Sequence, residues 1–137
     1  MIKPKNLLCA AVLLTLPAFA SQALAGDVSF SRGYTFEERD GKSIYENVCQ
    51  GCHMADAKGA TGAGRYPALA ENPRLAGKMY PAILVLKGQG AMPVFGDVMD
   101  DEQIANVVNY VRSQFGNAYT DKLTPAEIAA LRPPKKP

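Results

Sequence analysis

The clearest hydrophobic pattern lies in the C-terminal third of the chain. Apolar side chains recur there at intervals of three and four residues: Ile104, Val107, Val108, Val111 and Phe115. This spacing places them on one face and predicts an amphipathic helix over 101–115. Asp100 and Gln103 have the spacing of a capping box at its start, and Gly116 supplies a stop at its end.

A second helix is predicted over Glu37–Val48. Ile44 and Val48 are four residues apart, as are Gly41 and Tyr45, so two adjacent stripes face inward. A glycine inside a helix costs about 1 kcal/mol relative to alanine. We therefore expect another backbone to pass close to Gly41.

Shorter helices are predicted elsewhere. Asn72-Pro73 has the pattern of a cap followed by proline, a helix over 80–87 ends at Gly88, and Thr124 to Glu127 form another capping box. Residues 54–72 are rich in glycine and alanine and predict a loop. With no strand pattern, the sequence predicts an all-α fold of short helices and long connections. Such a chain buries little apolar surface, so we expect a further group to fill its centre.

The N-terminal residues have the three parts of a secretory signal peptide. Lys3 and Lys5 form a basic start, 7–16 is an apolar run, and Ala23-Leu24-Ala25 is a cleavage signal before Gly26. An uncleaved membrane anchor is the alternative, but the run is short and Pro17 interrupts it. We therefore expect a periplasmic protein with four parts: a signal peptide (1–25), an N-terminal arm (26–36), a central domain (37–116) and a C-terminal extension with a short helix and a mobile tail (117–137).

Cleavage changes the charge balance. The chain has 15 basic and 13 acidic side chains, and losing Lys3 and Lys5 leaves 13 of each. No basic bias remains, so the composition gives no indication of nucleic-acid binding.

The chemistry-bearing motif is Cys49-Gln50-Gly51-Cys52-His53. A zinc site usually needs four ligands, and the chain has no other histidine and no other cysteine after cleavage. A thiol–disulfide motif normally follows a strand, whereas this pair follows a predicted helix. Covalent haem remains: the two cysteines form thioether bonds to the ring, and the adjacent histidine binds the iron.

A six-coordinate haem needs a second axial ligand, and methionine is the natural donor in a chain with one histidine. Met54 adjoins the histidine and cannot reach the opposite face. Met79 is interpreted as a core residue, and Met99 lies among acidic residues. Met92 is favoured because its glycine-rich loop can approach the ring and Pro93 fixes the backbone beside it.

Over 37–116 the chain resembles class I c-type cytochromes, through Cys49-x-x-Cys52-His53 and Gly90-x-Met92-Pro93. The resemblance implies the cytochrome c fold around one covalent haem c, with His53 and Met92 as the axial ligands of the iron. It also implies that Gly41 packs against Tyr110 where the first and last helices cross. The Pro67 carbonyl is implied as the acceptor of the free His53 ring N–H.

The function that follows is one-electron transfer, because protein ligands would fill both axial positions. The expected partners are redox proteins: a dehydrogenase as donor and a terminal oxidase or another cytochrome as acceptor. Residues 109–133 resemble the tails of small cytochromes that are subunits or acceptors of periplasmic dehydrogenases. The alternative is a haem peroxidase or gas sensor with a labile Met92.

The charges between Met54 and Met92 are mostly basic: Lys58, Arg65, Arg74, Lys78 and Lys87 against Asp56 and Glu71. This excess either steers acidic partners towards the haem edge or only keeps the surface soluble. Arg74, Tyr80 and Lys87 are further candidates, by resemblance, for contacts with the haem propionates.

Overall fold

The computed structural model describes residues 35–62 and 64–133. The predicted signal peptide, nearly all of the arm and the end of the tail lie outside the described residues. The helices are α1 (Gly41–Ile44), α2 (Gln50–His53), α3 (Met79–Lys87), α4 (Asp101–Ser113) and α5 (Pro125–Leu131). The fold is mostly helical, which confirms the all-α prediction.

A small β-hairpin lies in the segment that was predicted to be a loop. Strands β1 (Ala60–Thr61) and β2 (Arg65–Tyr66) pair antiparallel, with Ala60 opposite Tyr66. Each strand has two residues, too short to show an alternating hydrophobic pattern. The expectation that no strand is present was therefore wrong in this detail, although the helical class stands.

The first helix runs from Gly41 to His53, through α1, a π-helical turn (Tyr45–Cys49) and α2. The predicted range Glu37–Val48 was wrong at both ends. Asp40 caps the helix by accepting a hydrogen bond from the Ser43 backbone N–H at 2.9 Å. The carbonyls of Phe36 and Glu38 instead accept hydrogen bonds from the Gln103 side chain on α4, so this stretch cannot be helical.

The start of α1 crosses α4 at Gly41. A Cβ atom at this position would overlap the Asn106 carbonyl oxygen and lie 2.6 Å from Cβ of Tyr110. Only glycine allows so close an approach, which explains why a helix carries it. The contact confirms the expected packing of Gly41 against Tyr110.

Helix α4 carries most of the core. Its apolar face is buried at Ile104, Val107, Val108 and Val111, and both halves of the predicted capping box are present. The helix ends at Ser113, before the predicted end at residue 115, because Gln114 is extended with ψ of 178°, and Phe115 then adopts a left-handed backbone conformation with φ of 57°.

The C-terminal extension packs against α4. Leu123 and Ile128 belong to the hydrophobic core, and the Asn109 side chain both donates to and accepts from the Leu123 backbone at 2.8 Å. The predicted capping box at Thr124 is present. Among the described residues, we find no helix with the length and apolar character needed to cross a bilayer.

Candidate functional site

A cavity of about 710 Å³ lies between the first helix, α3 and α4. Its walls include the side chains singled out by the sequence: Cys49, Cys52, His53 and Met92. Much of the remaining lining is aliphatic or aromatic, including Val48, Leu69, Leu75, Leu84, Val85, Phe95, Val107, Val108 and Val111. A volume of this order suits a small-molecule or cofactor site.

The His53 side chain is 9% exposed and is oriented by one hydrogen bond. Its Nδ1 atom lies 3.0 Å from the Pro67 carbonyl oxygen. Because a carbonyl only accepts, Nδ1 carries the proton in this contact, which leaves Nε2 with a free lone pair. This is the arrangement by which backbone acceptors fix the tautomer of a metal-binding histidine.

The loop that carries Pro67 is held closely behind the histidine. Gly59 has φ of 70°, and a Cβ there would overlap the Tyr66 carbonyl oxygen and lie 2.8 Å from the carbonyl carbon of Pro67. The buried Asn117 side chain donates to the carbonyls of Leu69 and Val111 at 2.9 Å. The acceptor of the His53 proton is therefore tied to α2 and to the end of α4.

Another part of the cavity wall contains a tight turn (89–92). Gln89 and Met92 exchange backbone hydrogen bonds of 3.0 and 3.1 Å, which close the turn through Gly90. Gly88 has φ of 68°, and a Cβ atom on it would lie 2.6 Å from the Met92 carbonyl oxygen. Glycine therefore allows the two backbone segments to pass this closely. The Met92 backbone is thus fixed, whereas its side chain is partly exposed.

The other methionines lie elsewhere. Within the described part of the chain, Met92 is the methionine that lines the cavity, while Met54, Met79 and Met99 do not. Met99 is buried in the core. Met79 is 37% exposed at the start of α3, so its interpretation as a core residue was wrong.

Both cysteines line the cavity, and Cys52 is exposed. Burial raises the pKa of the Cys49 thiol to about 12, and Cys52 beside it adds to the rise. In residues 35–62 and 64–133, no three His, Cys, Asp or Glu side chains are placed to share a metal ion.

The charged residues on the cavity wall are all basic: Lys58, Arg65 and Arg74. Lys58 is 3.5 Å from the Asp56 carboxylate, while neither arginine forms an ion pair with a described residue. Of the candidates for propionate contacts, Arg74 and Tyr80 line the cavity and Lys87 does not.

These features fit a covalently attached haem. The walls supply a large apolar volume, two thiols in the spacing of the attachment motif, an oriented imidazole and a thioether. The basic residues match the two carboxylates that a haem carries. Cys49 and Cys52 would hold the ring edge, and His53 and Met92 would be the residues available to bind its iron.

Several positions that shape the site were missed from the sequence. Gly59 and Gly88 back the two ligand loops, Asn117 ties the Pro67 loop to α4, and the buried Arg112 donates to the Leu75 carbonyl at 2.8 Å and the Ala76 carbonyl at 2.9 Å. The glycines had a signal, because glycine is typical of positions with positive φ and close backbone approach. Asn117 and Arg112 had none, since their partners are far along the chain.

Comparison with known proteins gives relatives of two kinds. The chain is 34% identical over 110 residues to the gluconate 2-dehydrogenase cytochrome c subunit of Pantoea cypripedii, covering 70% of this chain and 24% of that protein. It is 39% identical over 95 residues to the fructose dehydrogenase cytochrome subunit of Gluconobacter japonicus, covering 58% of this chain and 19% of that protein. The chain thus spans about a quarter or less of these subunits.

The second kind is a small protein of similar length. The chain is 32% identical over 114 residues to cytochrome c6 of Picosynechococcus sp., covering 77% of this chain and 89% of that protein. These relatives are cytochromes or cytochrome subunits, which supports electron transfer rather than a catalytic activity of the chain's own.

A family model described as cytochrome c oxidase, cbb3-type, subunit III matches residues 36–111. That range includes the attachment motif (49–53), the methionine turn (89–92) and most of α4. It is more than half of the chain, which therefore belongs to this family of c-type cytochromes.

Proposed function

We propose that this protein is a periplasmic one-electron carrier with a single covalent haem c. Cys49 and Cys52 form the thioether bonds, and His53 and Met92 are the two axial ligands of the iron. The observation that carries the proposal is the convergence of these four side chains on one apolar cavity. When bound, the haem supplies the one-electron redox couple.

The protein contributes orientation and exclusion of water. The Pro67 carbonyl keeps the proton on Nδ1 of His53, so that Nε2 faces the ring as a ligand. Aliphatic side chains from α3 and α4 surround the ring and lower the local dielectric, and methionine raises the reduction potential relative to other axial ligands. With both axial positions filled by side chains, no site is left for substrate.

The donor we propose is a dehydrogenase. Relatives of this chain are named as cytochrome subunits of gluconate, fructose and alcohol dehydrogenases. The acceptor is a terminal oxidase or another cytochrome, and the chain is either a free carrier or a dedicated subunit. Export through the N-terminal signal would place it in the periplasm, where such dehydrogenases act.

Mass spectrometry under denaturing conditions tests the haem attachment. The purified protein should carry the mass of one haem per chain, and C49A/C52A should carry none. Stopped-flow mixing with a reduced dehydrogenase should then reduce the wild-type haem in one exponential phase. A chain that copurifies with zinc, or a ferric haem that reacts with peroxide or a gas as rapidly as with redox proteins, would overturn the proposal.

A further inference from the structure

The end of α5 is joined to the segment that leads from Met92 to α4. Arg132 caps this helix, and Pro133 after it holds Arg132 in an extended conformation with ψ of 138°. Its guanidinium donates to the carbonyl oxygens of Gly96 and Met99, the latter at 2.8 Å, and to the Asp101 carboxylate. One side chain of the extension thus contacts three points beyond the methionine turn.

The contacted segment is a 3₁₀ turn (Phe95–Asp97) that follows Met92 closely. Its inner side touches α3, because a Cβ on Gly96 would lie 2.6 Å from the Leu86 carbonyl oxygen. Phe95 points into the cavity wall. The turn is therefore held between α3 on one side and Arg132 on the other.

Beyond the close approach of Gly88, the methionine turn (89–92) has few constraints. Its described hydrogen bonds are the pair between Gln89 and Met92, and the following Val94 is 47% exposed. A shift of the chain between Met92 and α4 would carry the Met92 backbone away from the cavity. The Arg132 contacts oppose that shift, since a guanidinium hydrogen bond to a carbonyl is a charge-assisted one.

We propose that Arg132 is a positioning residue for Met92, so that the C-terminal extension keeps the sixth ligand on the haem iron. The inference rests on the proposed haem ligation. It assigns to the extension a function inside the molecule: the extension holds the ligand loop closed against competing ligands.

Imidazole binding to the ferric, haem-loaded full-length protein tests this. Imidazole must displace Met92, so its apparent affinity reports how firmly the loop holds the methionine. Arg132→Gln should tighten imidazole binding about tenfold, equivalent to about 1.4 kcal/mol. Glu127→Gln is the matched control, because it removes the Lys78 ion pair at the other end of α5 and leaves the Arg132 contacts. It should change binding less than about twofold, or about 0.4 kcal/mol.

Equal imidazole affinities in wild type and Arg132→Gln would overturn the inference, as would equal changes in both variants. If wild type and Met92→Ala bind imidazole equally, the proposed ligation itself fails, which is a distinct outcome.

Hydrogen exchange gives a second readout if Arg132→Gln accumulates poorly. The Val98 and Met99 amides donate to the Phe95 carbonyl within the 3₁₀ turn. In the variant these amides should exchange faster while those of α5 stay protected. Loss of protection in α5 alone would mean that Arg132 only docks the helix.

Discussion

The two walls of the cavity are built differently. On the histidine side, the proposed ligand His53 is buried at the end of the first helix, its ring is hydrogen-bonded to the Pro67 carbonyl, and the Pro67 loop is tied to Ala57 and Asn117. On the methionine side, the proposed ligand Met92 lies in a four-residue turn and is partly exposed. The Arg132 guanidinium donates to the carbonyl of Gly96, four residues beyond Met92.

Because the two sides are held by different numbers of contacts, we expect them to differ in local stability. Regions with many buried contacts open only with global unfolding, whereas exposed turns open locally at lower free energy. We therefore expect the methionine side to open first under heat, acid or competing ligands. Histidine should remain in place until the whole domain unfolds.

The largest expected effect comes from removing each ligand in turn. His53→Ala should abolish low-spin haem and leave little folded protein, because it removes the proposed iron ligand together with a buried hydrogen bond. Met92→Ala should retain covalent haem and a folded chain but bind external ligands. Haem content per chain and the visible spectrum measure both. Equal losses in the two variants would contradict the asymmetry.

The next largest effect is on stability and comes from two glycines at the methionine turn. Gly88→Ala should reduce the free energy of unfolding by about 3 kcal/mol, since it adds a backbone clash with Met92 to the cost of a left-handed conformation. Gly90→Ala, also at positive φ but with open space around it, should cost about 1 kcal/mol. Denaturant unfolding compares them. Similar losses of unfolding free energy in the two variants would show that the close approach at Gly88 does not affect stability.

On the histidine side, Asn117→Ala removes the link between the Pro67 loop and α4. It leaves the Leu69 and Val111 carbonyls and the Asn72 amide without this partner, at a cost of about 2 kcal/mol. Asn47→Ala deletes an exposed bond to the Ser43 carbonyl and should cost less than about 0.5 kcal/mol. The prediction fails if thermal unfolding shows no gap between these variants.

The smallest effect concerns acid and the extension. The Lys78 ammonium, 2.7 Å away, and the Thr124 cap lower the pKa of Glu127 from its ordinary 4.5 to about 2. Because the folded pKa is depressed, this carboxylate stabilises the fold fully above about pH 4.5, and the contribution is lost as pH falls towards 2. Glu127→Gln should therefore lose less stability across that window than wild type, and exposed Glu37→Gln should match wild type. If the free energy of unfolding depends on pH in the same way in wild type and Glu127→Gln, this prediction is refuted.

Much of the fold could be predicted from local pattern. The apolar face of α4, its capping box and the Thr124 cap depend on residues within a few positions of one another, so the sequence displays them directly. The start of the first helix could not be predicted this way. It depends on the Gln103 side chain, which donates hydrogen bonds to the carbonyls of Phe36 and Glu38, 65 or more positions away in the sequence.

The site residues also divide into those that a local motif marks and those whose partners lie far away in the sequence. Cys49, Cys52 and His53 form a local motif, and Met92 follows from asking which donor remains for the iron; the ligand roles themselves stay predictions. Arg112, Asn117 and Arg132 act on backbone carbonyls that the fold brings near. A backbone carbonyl has no side-chain identity, so no sequence pattern marks these pairs.

The most direct test of His53–Met92 ligation is the far-red absorption band that methionine–iron bonding gives to ferric c-type cytochromes. Wild type and Met79→Leu, which alters an exposed methionine away from the cavity, should both show the band, and Met92→Leu should lose it while keeping its covalent haem. A wild-type ferric spectrum that is high-spin, or a band that persists in Met92→Leu, would contradict the assignment of Met92.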